Sequence, residues 1–173
     1  SFDRALALRP DYAKAHCNRG AVLEAMGRPE EALACFDRAL ALQPDFPEAM
    51  LNRTRSLRTL RRFHEALQNI NALLARHPKY AEAYLQRGML LGNDNNAVGA
   101  TADYDRALTL KPDYTKARWI SCNGVLPILY ADQAEIPRQR AAYEQRLRAL
   151  RAAYEAGAIP GDLSIGLGSA QPF

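Results

Sequence analysis

The sequence predicts an all-α protein, an α-α superhelix of helix–turn–helix repeats followed by an additional long C-terminal helix and a linker. Four classes of residue recur with a period of 34 residues along the 173-residue chain. Large apolar residues, prolines, alanines and small residues form four series in constant phase: Phe2, Phe36, Ile70 and Tyr104; Pro10, Pro44, Pro78 and Pro112; Ala32, Ala66 and Ala100; Gly20, Thr54, Gly88 and Cys122. Such a period indicates a repeat architecture in which neighbouring units share one core.

The complete repeats are predicted over residues 13–46, 47–80 and 81–114. Their pattern resembles the tetratricopeptide repeat, a helix–turn–helix unit that stacks into a solenoid. The resemblance implies that the first helix of each unit lines a concave groove. It further implies that this groove binds peptide segments or helices of other proteins.

Local signals place the two helices of the first repeat. A first helix over about residues 13–26 ends at Gly27, which suits the left-handed conformation after a helix. Pro29 opens the second helix, where its missing N–H costs nothing. Gly20 and Ala32 are expected to be small because the paired helices cross there. Phe36 is expected to fill the groove between neighbouring hairpins, and Pro44 to stop the second helix.

Both ends of the array depart from the pattern. Residues 1–12 are interpreted as the second helix of a truncated repeat, which suggests a chain cut from a longer array. Residues 115–130 form a lone first-helix-like segment with a break at Pro127, and residues 131–157 a C-terminal helix ending at Gly157. A stripe on that helix is predicted to dock on the last repeat: Tyr143, Leu147, Leu150 and Tyr154. Residues 158–173 are predicted to be a linker toward a missing domain.

Composition excludes several classes of function. No run of about 18 apolar residues is present, so no membrane span is predicted. The three cysteines lack metal or redox spacing, which favours reduced thiols and a cytoplasmic location. His16, His64 and His77 occupy different repeat positions without a triad partner, and Gly92–Gly99 is interpreted as a turn rather than a phosphate loop. The chain is therefore predicted to be no enzyme and to use no cofactor or metal.

Arginines are concentrated in two segments of a chain whose net charge is +4. One group lies in the second repeat and the other in the C-terminal helix: Arg53, Arg55, Arg58, Arg61 and Arg62; Arg138, Arg140, Arg146, Arg148 and Arg151. A solvated face paired with Glu and Asp is the favoured interpretation, followed by an acidic protein partner. Nucleic acid is disfavoured because aromatic residues do not interleave the arginines.

The predicted groove is lined by the first helices. Its residues are Lys14, Cys17, Asn18, Ala21, Glu24, Glu48, Leu51, Asn52, Arg55, Arg58, Glu82, Leu85, Gln86, Met89, Lys116 and Trp119. Asn18, Asn52 and Gln86 share one repeat position and are predicted to form an amide ladder, which suits a peptide backbone. The alternative is that these amides cap nearby backbone groups. Trp119 is expected to anchor the C-terminal helix, with contact to a ligand as the alternative.

The Lys, Asn and Arg clamp by which some of these repeats grip a chaperone's C-terminus is not expected. The matching positions hold Cys17, Ala21, Glu82 and Gln86.

Residues 115–173 carry a second resemblance. This region is similar to the junction in SPINDLY-like, O-linked N-acetylglucosamine transferase-type proteins of bacteria. The similarity lies in the stretch Leu126–Tyr130 (LPILY), the Glu-Ile pair at 135–136, the helix with Arg140 and Tyr143, and the final Gln-Pro-Phe. The resemblance implies a parent enzyme that transfers a sugar from a nucleotide-sugar donor to Ser or Thr of proteins. This chain would then be its docking region, without donor-binding residues.

Three hypotheses for function follow. The first is the peptide- and partner-docking region of such a glycosyltransferase. The second is a stand-alone adaptor that scaffolds a complex, and the third is a self-association module. A membrane or nucleic-acid partner is not predicted.

Overall fold

The structure is a computed structural model that describes residues 11–94, 96–123, 133 and 135–157. Within these residues every regular element is an α-helix, which confirms the predicted class. The helices are α1 (Ala13–Ala25), α2 (Pro29–Leu42), α3 (Pro47–Thr59), α4 (Phe63–Arg76), α5 (Ala81–Asn93), α6 (Ala97–Leu110), α7 (Thr115–Asn123) and α8 (Glu135–Glu155). None of these helices is long and apolar enough to cross a bilayer.

Several sequence predictions fall outside the described residues. These are the truncated repeat over residues 1–10, the break over 124–130 and the linker over 158–173 with its Gln-Pro-Phe motif. The chain divides into two compact units, Ser1–Lys79 and Tyr80–Phe173. Each unit is described by itself below.

The first unit is built from two helical hairpins. Helix α1 packs against α2, α3 packs against α4, and α2 also packs against α3. Phe36 of α2 is fully buried at the centre of one core. Its cluster contains Cys17, Leu23, Ala32, Cys35, Ala39 and Ala49, with Leu40 and Phe46 packed at its edge. The predicted groove-filling role of Phe36 is therefore confirmed.

Gly20 is small because an aromatic ring occupies the space beside it. A Cβ atom at Gly20 would lie 2.7 Å from Cε1 of Phe36, which is closer than real carbon atoms approach. The same relation joins Gly88 to the ring of Tyr104 two repeats later. The recurring small residue thus accommodates the recurring aromatic one, which refines the predicted helix crossing.

The turn of the first hairpin follows the prediction. Gly27 has a φ of +72° two residues after the end of α1, and the Arg28 N–H donates to the Leu23 carbonyl at 2.9 Å. Pro29 occupies the first turn of α2. In the second repeat Arg61 occupies the place of Gly27 with a φ of +58°, a conformation that disfavours side chains with a Cβ.

The predicted turn over Gly92–Gly99 was too long. Gly92 lies inside α5 and Gly99 inside α6, and the connection begins at Asp94. The side-chain oxygen of Asn96 accepts the Gly99 N–H at 2.9 Å. This cap satisfies one of the free donors at the start of α6, so the helix can begin before Gly99.

The second unit contains a hairpin of α5 and α6, with α7 packed on α6 and α8 packed on α7. Its principal cluster consists of Leu85, Ala100, Tyr104, Ala107 and Ala117. A smaller cluster joins Cys122 of α7 to Leu150 of α8, with Trp119, Tyr143 and Ala153 packed on it. The predicted anchor role of Trp119 is confirmed by this packing.

The apolar stripe predicted on α8 docks only in part. Tyr143 and Leu150 pack on the smaller cluster, whereas Leu147 and Tyr154 are exposed. The contact face instead includes Ala153, which packs on the smaller cluster, and Arg146, which forms two contacts with Asp105 of α6, Nη1–Oδ1 at 2.8 Å and Nη2–Oδ2 at 2.9 Å. Gly157, with a φ of +66°, follows the end of α8 as predicted.

Candidate functional site

The first helices of the first two repeats lie side by side in the first unit. Helix α1 contacts α3. The Cys17 thiol of α1 bonds the Asn52 side chain of α3, and Nε of Arg55 lies 3.5 Å from Oε1 of Glu24. Each contact joins residues about one repeat apart, so the two helices run parallel. We call the surface formed by Lys14, Asn18, Ala21, Glu24, Glu48, Leu51, Asn52, Arg55 and Arg58 the α1–α3 face.

Most of the predicted groove residues are accessible. Lys14, Ala21, Glu48 and Arg55 are exposed, and nine further members are partly exposed. Those nine are Asn18, Glu24, Leu51, Asn52 and Arg58 in the first unit, and Glu82, Met89, Lys116 and Trp119 in the second. Their role in binding stays a prediction.

Three predicted groove residues are buried, and their placement on an open surface was wrong. Cys17 lies in the cluster around Phe36, and Leu85 lies in the cluster around Tyr104. Gln86 is also buried, although an amide ladder needs an accessible amide at each step. A residue at the edge of a helical face is buried when side chains of a neighbouring core pack against it. The repeat position alone does not predict whether such packing occurs.

Electrostatic interactions organise the α1–α3 face. Burial raises the pKa of Glu24, while Arg55 and Arg58 oppose that shift by attraction. Burial also raises the pKa of the Cys17 thiol to about 11, with a further contribution from Glu48 and an opposing one from the Asn52 hydrogen bond. Cys17 therefore stays protonated near neutral pH, unlike the thiolate of a nucleophilic cysteine.

The interpretation of the arginines as a face paired with acidic residues is supported by several contacts. Nε of Arg53 lies 2.6 Å from Oδ1 of Asp37, and Nε of Arg62 lies 2.7 Å from Oε1 of Glu65. On α8, Nε of Arg151 lies 2.7 Å from Oε1 of Glu155. Among the described residues, no group of three or more His, Cys, Asp or Glu side chains is arranged to hold a metal ion.

Sequence reasoning missed a second ladder, which lies between the two helices of each repeat. An arginine at one repeat position donates to the residue sixteen places later. Arg19 reaches the Cys35 sulfur at 3.7 Å, and Arg53 reaches the Asn69 oxygen at 3.3 Å. Arg87 reaches both oxygens of Asp103 at 2.8 Å. The 34-residue recurrence of the three arginines is the signal that could have revealed this ladder.

Comparison with family models identifies the repeats. Two models of the tetratricopeptide repeat match the chain, one over residues 13–46 and the other over residues 51–115. The first match has the bounds predicted for the first repeat. No match was found among curated proteins.

Solved structures share this fold. MamA (41-end) from Desulfovibrio magneticus RS-1 is 17% identical with a TM-score of 0.73, over 90% of this chain and 82% of that chain. YrrB, described as a protein with an unusual peptide-binding site, is 20% identical with a TM-score of 0.63, over 85% and 71%. The first repeat domain of Spaghetti (RPAP3), bound to the HSP90 peptide SRMEEVD, is 25% identical with a TM-score of 0.61, over 65% and 89%.

Proposed function

Because this chain carries tetratricopeptide repeats over residues 13–46 and 51–115, we propose that it is a binding module that takes an extended peptide segment of a protein partner on its α1–α3 face. The observation that carries the proposal is the pair Asn18 and Asn52. The two amides occupy the same repeat position on adjacent parallel helices, and both are partly exposed. A side-chain amide offers a donor and an acceptor, which are the two groups that a peptide backbone needs.

The surroundings of the two amides favour a preformed surface. The Asn52 oxygen accepts from Nη1 of Arg55 at 3.4 Å, and its side chain also bonds Cys17. These contacts hold Asn52 in place before a ligand arrives, which reduces the entropy lost on binding. The structure of the Spaghetti domain bound to an HSP90 peptide shows that a domain of similar fold takes up a peptide, which supports peptide binding in general.

The double substitution Asn18→Ala and Asn52→Ala is expected to weaken peptide binding by about fivefold or more, because each lost amide removes about 0.5–1.5 kcal/mol of net hydrogen bonding. The ligands are taken from a displayed library of random peptides of about ten residues, which extend over about 33 Å. Affinities of the selected peptides are then measured by fluorescence anisotropy for the wild-type chain and for the variant. The thermal unfolding midpoint should change little, since both side chains are partly exposed.

Gln68→Ala provides the matched control. Gln68 is an exposed amide on α4 whose side chain bonds His64 of the same helix, away from the α1–α3 face. Its removal should leave peptide affinity unchanged. Equal affinity of the double variant and the wild-type chain would refute the role of the two asparagines.

A more specific proposal is that the repeats are the docking region of an O-linked N-acetylglucosamine transferase-type enzyme. Its support is the resemblance of residues 115–173 to the junction before the catalytic domains of that family. A docked substrate would have a raised effective concentration near the distant active site. We expect the gene to continue beyond the Phe173 codon into a region with an α/β pattern. A stop codon there would contradict the enzyme and favour a stand-alone adaptor.

Self-association is the remaining proposal for the partner. It predicts a mass that rises with protein concentration in analytical ultracentrifugation without any added peptide. A constant monomer mass over that range would contradict it.

A further inference from the structure

The polar contacts of Arg55 are longer than the carboxylate contacts of Arg53 and Arg62 in the same unit. Its Nε lies 3.5 Å from Oε1 of Glu24, and its Nη1 lies 3.4 Å from the Asn52 oxygen. By contrast, Nε of Arg53 lies 2.6 Å from Oδ1 of Asp37. A well-formed guanidinium–carboxylate bond measures about 2.7–2.9 Å. The neighbours therefore orient the Arg55 guanidinium, while its contacts with them are longer than well-formed hydrogen bonds.

Arg55 is also much more exposed to solvent than its partner Glu24. The Arg55 side chain is 47% exposed, whereas the Glu24 side chain is only 15% exposed. Arg58, on the same face of α3, also attracts the Glu24 carboxylate. Two arginines thus attract one mostly buried carboxylate, and this part of the α1–α3 face has a net positive charge. The position of α1 equivalent to Arg55 is Ala21, which is small and exposed.

We propose that Arg55 is a subsite for an aspartate or glutamate side chain within the bound peptide, and that Glu24 is the internal carboxylate that the ligand replaces there. This inference rests on the proposed peptide-binding function. The fit is one of charge and geometry, since a guanidinium offers a carboxylate two parallel hydrogen bonds.

The location of Arg55 favours an acidic side chain inside the peptide over a free C-terminus. Asn52 lies about one helical turn before Arg55 and Arg58 about one turn after it, on the same face of α3. The binding surface therefore continues on both sides of Arg55. A peptide that pairs with Asn18 and Asn52 crosses α3 about one helical turn from Arg55, so a carboxylate that reaches Arg55 belongs to a side chain of that peptide.

The test uses pools of random peptides of about nine residues, acetylated and amidated at their ends. One pool has Glu fixed at the central position and the other has Gln, so that charge is the difference between them. The wild-type chain is expected to bind the Glu pool about three- to tenfold more tightly than the Gln pool. Arg55→Ala should abolish this preference. Glu24→Gln should increase it, because the competing carboxylate is removed while its shape is kept.

Arg38→Ala is the matched control. Arg38 is similarly exposed and makes a long contact of 3.4 Å with Asp11, but it lies on α2 outside the α1–α3 face. Its variant should keep the preference for the Glu pool. A third pool, with central Gln and a free C-terminal carboxylate, should bind no better than the amidated Gln pool. Tighter binding of that third pool would overturn the assignment to a side chain.

The outcomes separate this inference from the proposed function. If both pools bind equally well and their binding depends on Asn18 and Asn52, the peptide-binding function stands and the carboxylate subsite is refuted. If neither pool binds the wild-type chain, both proposals fail. A decrease in the preference on Glu24→Gln would also refute the competitive role of Glu24.

Discussion

Phe36→Ala is expected to lower the free energy of unfolding of the first unit by about 3–5 kcal/mol, which is the cost of removing a buried phenylalanine. The ring is fully buried in a cluster that includes residues of both hairpins of the first unit, among them Cys17 of α1 and Ala49 of α3. Relaxation into the space is limited because Gly20 has no side chain to enter it. Urea unfolding followed by circular dichroism measures the effect, and hydrogen exchange should localise it to α1, α2 and α3.

Phe46→Ala serves as the comparison for this prediction. Phe46 packs against the same cluster but is only partly buried, so its removal leaves a smaller cavity and a smaller loss of stability. Equal losses for the two variants would show that Phe36 is not the centre of the core. That result would also weaken the interpretation of the 34-residue apolar series as the element that joins successive hairpins.

The fold was accessible from the sequence because repeated packing demands repeated residue types. Phe36 and Tyr104 recur together with the glycines that receive their rings, and both features are readable as a period. The first helix was predicted to within one residue, since Gly27 ends it by a mechanism local to the chain. Pro29 acts in the same local way. Such signals need no knowledge of distant contacts.

The candidate site was less predictable, because surface and core residues alternate at the edge of a helical face. Cys17 and Leu85 share the repeat position of Leu51, yet they are buried while Leu51 is partly exposed. The difference arises from the neighbours that reach each position, which no local pattern encodes. The contact face of α8 is a similar case, since it includes an ion pair between Arg146 and Asp105, which lie far apart in the sequence.

The arginine ladder shows a signal that was present but not used. Arg19, Arg53 and Arg87 recur at 34 residues, while their partners differ as Cys35, Asn69 and Asp103. Because the partner of the arginine is a different residue type in each repeat, no recurring pair of residue types can be recognised in the sequence. The geometry shows that all three partners occupy one place on the second helix, where only the third carries a charge.

Arg87→Met is expected to destabilise the second unit by about 2–4 kcal/mol, because it leaves the Asp103 carboxylate buried without its guanidinium. The side chain of Asp103 is 7% exposed and accepts two hydrogen bonds of 2.8 Å from Arg87. This loss of stability is smaller than the loss expected for a fully buried ion pair, since the Arg87 side chain is 28% exposed and partly screened by solvent. Methionine keeps an apolar stem beside Tyr84, whose ring centre lies 5.5 Å from the guanidinium carbon.

Two comparisons distinguish charge from packing in this prediction. The double variant Arg87→Met and Asp103→Leu should regain most of the lost stability, because it removes the buried carboxylate that the single variant leaves unpaired. Arg53→Met should cost less than Arg87→Met, since the ladder partner of Arg53 is the neutral Asn69 and its acidic partner Asp37 is half exposed. Suppose that Arg53→Met and Arg87→Met lower the free energy of unfolding equally and that the double variant regains no stability. The arginines would then stabilise the repeats through packing of the apolar part of their side chains. The charged pair at Arg87 would then not be the source of its stability.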